Sequence, residues 1–525
     1  MVASGGYLRR ALTAAGLVAA VIAIYTARLG DAPIYLHHDE VWLALLGHSI
    51  ASTARDPAGH LLPLYFPVFT NEWFNPVPVY FSALVQTVAP LSEWSARLPT
   101  VLVAATNVVL MYVVALRIFK REWLALVAAL LLMLTPAHFI HGRLAMDYLY
   151  PLPFLLGWLL GLLVFLERPR LRTLAAAATC LGVGFYSYIA AMFMMPLYLC
   201  VTFLTLAIAR ERRPAAYIAA AGGFVLPLLL LVPWLVANPT MLANLIQRYD
   251  LYAAAAQGST HTSTAVAASA SVIEHASVYW DFFNPAYLFL SGGSNVMNST
   301  RDTGVFLWPL AVFLTAGLHH AATRRSMTNL LLIAGFLSAP LAASLIAERY
   351  AVDRALEVLP FGILLATVGI NDFVSSPSAL RRVVCVCLLA LMPFQFAHFY
   401  AGYFANYAPR TSSWFERNVR GGLETIIDRD QSERAPAIYL SSGIRWVDDK
   451  WRLYVIKHRR EDLLARTRYV DGGALDLRAM PARSLVLSNA GDAFDVALAG
   501  DGGFTRIARI DEPDGRASFS IFRKN

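Results

Sequence analysis

The chain has 525 residues, of which 57% are hydrophobic and 15% charged, and a formal net charge of +8. Soluble globular domains carry roughly 25% charged residues, so the composition excludes an ordinary soluble protein and points to a polytopic membrane protein. The basic residues lie in short clusters between apolar segments, which excludes a nucleic-acid surface and matches the cytoplasmic loops of a multi-pass protein.

A bilayer core takes about 20 apolar residues per helix. On that rule spans are expected near 8–27, 94–118, 123–141, 149–166, 173–190, 191–209, 215–236, 304–320, 329–347, 355–371 and 383–402. The first follows Arg9-Arg10 as a signal peptide would, but no small-residue cleavage site follows it, so it is read as a retained helix. With eleven spans and a cytoplasmic N-terminus, the clusters Arg9-Arg10, Lys120-Arg121, Arg168 to Arg172, Arg210 to Arg213, Arg324-Arg325 and Arg381-Arg382 all fall on the cytoplasmic side. Segments 41–53 and 76–90 are apolar but too short to span, and are read as helices in the outer interface. The four cysteines, Cys180, Cys200, Cys385 and Cys387, sit in apolar stretches and read as small hydrophobes.

Three parts are then expected to face outward: the loop 28–93, the loop 237–303 and the segment from about 405 to 525. The last is charged and rich in Gly and Asp. It has β-like runs at 437–440, 484–487 and 518–522, and helix-like stretches near 413–428 and 447–465, which together read as a small extracytoplasmic α/β domain. The domains are accordingly 1–404 and 405–525.

Asp39 and Glu40 are adjacent acids just beyond the first span, and acids at a membrane boundary need a partner or a task. One task is to cap the helix that follows, since carboxylates favour helix N-termini. The other is general base catalysis, removing a proton from an acceptor hydroxyl or amine. Glu72 is the next outward acid. His37, His38, His60 and His261 are outward histidines, which with these acids raise the question of a bound divalent metal ion. Arg97, Arg143, Arg349 and Arg354 stand at outer helix ends against the positive-inside trend. Each either pairs with a local acid (Asp147, Glu348 or Asp353) or meets a lipid phosphate, for which Arg is suited. Tyr186-Ser187-Tyr188, at another outer helix end, offers rings on which a sugar could stack.

Several stretches occur in a suggestive order: Asp39-Glu40 after the first helix, Ser92-Glu93-Trp94-Ser95-Ala96-Arg97-Leu98-Pro99, His141-Gly142-Arg143, Tyr186 to Ala191, Phe282 to Phe289, and Arg354 to Pro360. In this order the chain resembles the GT-C membrane glycosyltransferases, above all the protein O-mannosyltransferases and the bacterial aminoarabinose transferases of lipid A. The resemblance covers about residues 8–402. It implies a GT-C fold in a bacterial inner membrane, a polyprenyl-phosphate-linked sugar as donor, and an extracytoplasmic glycan, lipid or protein as acceptor. It implies Asp39 as the catalytic acid, with Glu40 beside it. It matches Glu72 to a second acid that binds metal in some aminoarabinose transferases; Glu72, Arg97, Arg143, Tyr188 and Arg354 are the candidate substrate contacts, and Glu72 and His261 the candidate metal ligands. Where the aminoarabinose transferases follow the second acid with a Lys-Pro-Pro-like sequence, this chain has Asn75-Pro76-Val77-Pro78. Two other functions suit a chain of this composition: an O-antigen-type polymerase or ligase working through outward arginines, and a transporter or flippase. A transporter predicts mid-membrane charges and internal repeats, and neither is visible in the sequence.

Overall fold

The structure is a computed structural model describing residues 2–69, 72–241, 243, 264–346, 348–472 and 476–525, with backbone alone for 2–5, 69, 72 and 264–272. Among the described residues, seven helices are long and apolar enough to cross a membrane. They are Gly6–Tyr25, Glu93–Phe119, Asp147–Glu167, Ala191–Ile208, Met327–Leu345, Val358–Ser375 and Ala379–Thr411. Pro214–Leu228 and Leu231–Ala237, bent by 41°, form an eighth if they count as one span.

Three of the eleven expected spans are helical but shorter: Glu122–Met133, Leu171–Gly184 and Leu310–Arg324. The first shows why. Thr135 precedes Pro136 and takes an extended backbone (φ −75, ψ 122), so the apolar run breaks there and resumes as Pro136–His141. Hydropathy does not register such a break, because Thr and Pro interrupt hydrogen bonding far more than they lower apolarity. The expected interface segments are helices too, His38–Thr53 and Pro76–Gln86.

The chain folds as two compact units. One comprises 1–27, 59–80 and 98–401; the other comprises 28–58, 81–97 and 402–525. In the first unit the helices approach closely where glycine permits. Leu310–Arg324 crosses Val358–Ser375 with Gly317 against the Leu365 carbonyl and Gly369 against the Phe313 carbonyl, so that a Cβ at either glycine would collide with backbone. Small residues allow this kind of contact between membrane helices, where dispersion replaces the hydrophobic drive. A hairpin of β1 (Phe66–Phe69) and β2 (Glu72–Phe74) also belongs to this unit.

The second unit contains a five-stranded mixed sheet. Its strands are β3 (Ile438–Ser441), β4 (Thr467–Val470), β5 (Leu485–Asn489), β6 (Phe504–Asp511) and β7 (Ala517–Lys524), in the order β4-β3-β5-β7-β6. β3 runs parallel to both β4 and β5, while β7 is antiparallel to β5 and β6. The central strands are fully buried and apolar, as Ile438 to Leu440 and Leu485 to Leu487 show. Helix Val447–Lys457 makes the crossover from β3 to β4, and it packs on His38–Thr53. Around the sheet the same unit places Val419–Glu433, capped by the Asn418 side chain on the Gly421 N–H.

Candidate functional site

Asp39 stands in the first turn of helix His38–Thr53. His37 is the N-cap: its Nδ1 takes the Asp39 backbone N–H at 3.3 Å, and its own N–H donates to Glu40 Oε2 at 3.0 Å. This is a capping box with histidine in the position usually held by Ser or Thr. The two adjacent acids therefore point to different places, as consecutive helical residues must.

Glu40 turns inward and is fully buried. Its carboxylate meets Arg97, also fully buried, through Nε to Oε1 at 2.9 Å and NH2 to Oε2 at 3.1 Å. The remaining Arg97 N–H groups go to carbonyls: NH1 to Leu29 (3.0 Å) and Pro33 (2.8 Å), NH2 to Tyr35 (2.6 Å). All five donors of the guanidinium are thus engaged. Expected as a substrate contact, Arg97 has no N–H left for one, and instead fixes residues 29–40 as a rigid approach to the helix.

Asp39 turns outward, with about a third of its side chain open to solvent (34%). Its Oδ1 lies 3.1 Å from His38 Nε2, and its Oδ2 lies 3.5 Å from His37 Nδ1. His38 continues the chain: its Nδ1 lies 2.7 Å from Glu416 Oε1, and Glu416 Oε2 lies 2.7 Å from Lys450 Nζ. Trp446 stacks on the His38 ring with centroids 4.9 Å apart. Glu416 also lines a cleft of about 650 Å³ shared with Arg417, Arg445, Asn489 and Phe519, beyond the carboxyl ends of β3 and β5. In open α/β sheets that end of the strands is the usual place for a ligand.

The electrostatics follow from this arrangement. Burial works to raise the Asp39 carboxyl, but the adjoining His37 and His38 imidazoles outweigh it and hold the group far below the usual carboxylate range. Burial works to lower His38, yet Asp39 and Glu416 on its two nitrogens lift it to about 9. Glu416 is brought down to about 2, burial being overcome by His38 and Lys450. Lys450, 3% exposed, is lowered by burial against the pull of Glu416. Along the chain Asp39, His38, Glu416 and Lys450 the charges alternate in sign.

The sign of the His38 shift sets a pH dependence. Its folded value is raised above the ordinary 6.5, so the stability it contributes is complete below about pH 6.5 and disappears as pH rises through about 9. Asp39, Glu416, His37, Lys450 and Asp449 are the charged or titratable groups that act on or around the His38 ring. In thermal melts from pH 6 to 10, the stability advantage of wild type over His38→Gln should be constant below about pH 6.5 and shrink through about pH 9. A difference independent of pH would contradict the bridge.

His37, His38 and Asp39 also offer three metal-binding atoms within 4.8 Å of one another. Both His38 nitrogens, however, are already at hydrogen-bonding distance from carboxylates, and the 2.7 Å separation of His38 Nδ1 from Glu416 Oε1 is that of a charge-assisted hydrogen bond. As arranged, the trio is an ion-pair bridge. The metal ligands expected from the sequence, His261 and the Glu72 side chain, lie outside the described residues. No step is therefore assigned to a metal.

The first unit holds a separate cluster of expected site residues. Arg354 Nε meets Glu348 Oε2 at 2.7 Å. Tyr188 is buried, its ring edge-on to Tyr148 at 5.5 Å, and it shares an electrostatic neighbourhood with Arg354, Asp353 and Asp147. Asp353 accepts from Asn298 Nδ2 at 2.9 Å and is raised by burial to about 6. Arg143 is fully buried, its NH1 donating to the Tyr25 carbonyl and its guanidinium 5.2 Å over the Phe139 ring. Arg349 pairs with Asp281 at 2.5 Å. The structure thus brings Tyr188 and Arg354 together and leaves Arg143 within the helix packing.

Three residues of the Asp39 network carry no distinguishing sequence signal: Glu416, Lys450 and Trp446. They come from the charged C-terminal segment, where acids and bases are too frequent for one to stand out. The backbone carries a signal that the sequence does not: Glu416, Arg417 and Trp446 are non-glycine residues with positive φ (63°, 66° and 56°). Such conformations cluster where surrounding structure enforces them.

Residues 75–237 match the family model described as dolichyl-phosphate-mannose-protein mannosyltransferase. Among the solved structures that resemble the chain over nearly its whole length are two of one protein. ArnT from Cupriavidus metallidurans bound to undecaprenyl phosphate is 13% identical with a TM-score of 0.60, over 96% of this chain and 97% of that one. The apo structure of the same protein gives 13% and 0.60 over 99% and 98%. No curated protein sequence matches the chain. At that identity the likeness establishes the fold: a polytopic α-helical membrane protein of GT-C type, resembling the O-mannosyltransferases and ArnT, with a C-terminal mixed sheet.

Proposed function

We propose that the chain is an inverting glycosyltransferase that moves a sugar from a polyprenyl-phosphate-linked donor to an extracytoplasmic acceptor, with Asp39 as the general base. The carrying observation is Asp39 itself: an ionised, partly open carboxylate at a helix start, oriented by two histidines, in a GT-C fold. The ArnT structure was solved with undecaprenyl phosphate bound, and a carrier of that class is proposed here.

In the proposed reaction the acceptor O–H (or N–H) gives its proton to an Asp39 oxygen as its lone pair attacks the anomeric carbon. The bond from that carbon to the phosphate oxygen breaks on the opposite face, and its electron pair leaves with the polyprenyl phosphate. A strongly held carboxylate is a weak base in the ground state, so proton transfer belongs late in the step, when the acceptor oxygen has gained positive charge. Glu40 supports the reaction indirectly, by capping the helix and locking Arg97. Arg354, partly exposed and in the neighbourhood of Tyr188, is the cation proposed to meet a phosphate group. In a bacterial inner membrane with a cytoplasmic N-terminus, the basic clusters would all lie inside and Asp39 outside.

The test uses the full chain in nanodiscs with a radiolabelled polyprenyl-phosphate sugar and an envelope extract as acceptor source. Label should move to an acceptor as free polyprenyl phosphate appears in equal amount. Movement of the intact labelled donor across the bilayer without bond cleavage would favour a transporter instead. The polymerase or ligase alternative relies on arginines such as Arg143, which is buried against Tyr25 and Phe139.

A further inference from the structure

We propose that Glu416 and Lys450 are positioning residues for Asp39, acting through His38, so that the C-terminal segment sets the geometry of the base. The inference rests on the transfer reading above and deepens it.

Three observations carry it. His38 is held from both ends, by Asp39 at 3.1 Å and Glu416 at 2.7 Å. An imidazole with both nitrogens on carboxylates satisfies both only as the cation, and it cannot rotate without losing one. The ring plane is fixed as well, by Trp446 stacked at an angle of 23°. Beyond Glu416 lies Lys450, nearly without solvent contact, whose ammonium needs that carboxylate. Finally, Glu416 and Trp446, the two residues that grip His38, both adopt the left-handed backbone conformation. Surrounding structure must hold a non-glycine residue in this region, and at these two positions it does so with both side chains on His38.

A purely mechanical role is the competing explanation: the network would merely fasten helix His38–Thr53 to the rest of its unit. That fastening exists without it. Glu40 is locked to Arg97, Tyr35 donates to Glu512 at 3.0 Å, and Glu93 pairs with Lys457 at 2.9 Å. The first two hold the helix start and its entry loop, the third holds the neighbouring helix Val447–Lys457, and none of them touches the Asp39 carboxylate.

The discriminating experiment compares Glu416→Gln in wild-type and His38→Asn backgrounds, in the full chain. In the wild-type background kcat should fall about 10- to 100-fold, the range for a displaced catalytic group, with KM for donor and acceptor nearly unchanged. In the His38→Asn background the same substitution should change kcat little, because the path to Asp39 is already cut. Glu416→Asp should restore part of the loss. Equal losses in both backgrounds, or a loss confined to acceptor KM, would overturn the proposal; the second would make Glu416 a ligand contact in its cleft.

A readout independent of transfer separates this inference from the reading it rests on. Diethylpyrocarbonate acylates unprotonated imidazole, so labelling of His38, read by mass spectrometry, should be slow in wild type and clearly faster in Glu416→Gln. Unchanged labelling would refute the bridge even if the enzyme transfers sugar. Faster labelling in a protein that transfers nothing would leave the bridge standing and remove the reaction.

Discussion

Asp39→Asn should abolish sugar transfer while leaving the protein folded. Removal of a general base costs about 100- to 10,000-fold in rate. Asparagine keeps the size of the side chain and one acceptor oxygen, so His38 and the helix start stay in place. The stability change should be small, within about 1 kcal/mol, because the Asp39 ion pairs are partly exposed and solvent screens them. The measurement is turnover with a polyprenyl-phosphate sugar, alongside a thermal melt of the same sample. Full activity in the asparagine variant would end the proposed mechanism. An inactive protein with a collapsed melt would show only that Asp39 is structural. On the acid side, turnover should show no limb from Asp39 in the ordinary carboxylate range, because its carboxyl is held far below that range.

The opposite result is expected one residue away. Arg97→Met should unfold or strongly destabilise the protein, and Glu40→Gln should do so to a lesser degree. Removing one partner of a buried ion pair costs about 3–5 kcal/mol, since the other charge is left without compensation. Here the arginine variant also strands the carbonyls of Leu29, Pro33 and Tyr35. Glutamine at 40 still accepts from the His37 N–H and from Arg97, and so retains part of the geometry. The double variant Glu40→Leu/Arg97→Met should be more stable than Arg97→Met alone, because it leaves no buried charge. Expression level and melting temperature in detergent provide the comparison. If Arg97→Met folded as wild type but failed to transfer, the arginine would be a substrate contact after all. Adjacent acids would thus be separated experimentally: position 39 by rate, position 40 by stability.

The sequence made the helical layout readable, because apolar runs and basic clusters report on the membrane directly. It could not show that Thr135-Pro136 breaks one run, since local backbone preference leaves hydropathy almost unchanged. In the C-terminal segment, strands near 437–440, 484–487 and 518–522 were legible because they are buried and apolar. The two missed strands, β4 and β6, are the edges of the sheet. Their Thr-Arg-Tyr-Val and Thr-Arg-Ile-Ala-Arg runs carry no clear apolar pattern, since edge strands carry charge to discourage further pairing. Asp39 was visible by position. The resemblance already gave the base to Asp39 and support or capping to Glu40; that Glu40 turns inward onto Arg97 while Asp39 turns outward was not legible, because it depends on how each side chain leaves the first helical turn. Nor was Arg97 legible as an anchor: an arginine at a helix end looks the same whether it awaits a phosphate or holds five internal acceptors. Glu416 and Lys450 were invisible for a different reason, namely distance along the chain.

That distance has a consequence for biosynthesis. His38 and Glu416 are separated by 378 positions. At elongation rates of about 5–20 residues per second, His38 leaves the ribosome roughly 20 to 80 s before its partner. Through that interval the helices of the hydrophobic bundle emerge one after another, while the carboxylate at position 39 lacks its proposed supporting bridge. A prematurely terminated copy would insert in the bilayer but carry an unset base. On the proposal above, the bridge to Asp39 is complete only once Lys450 has followed Glu416 out of the ribosome.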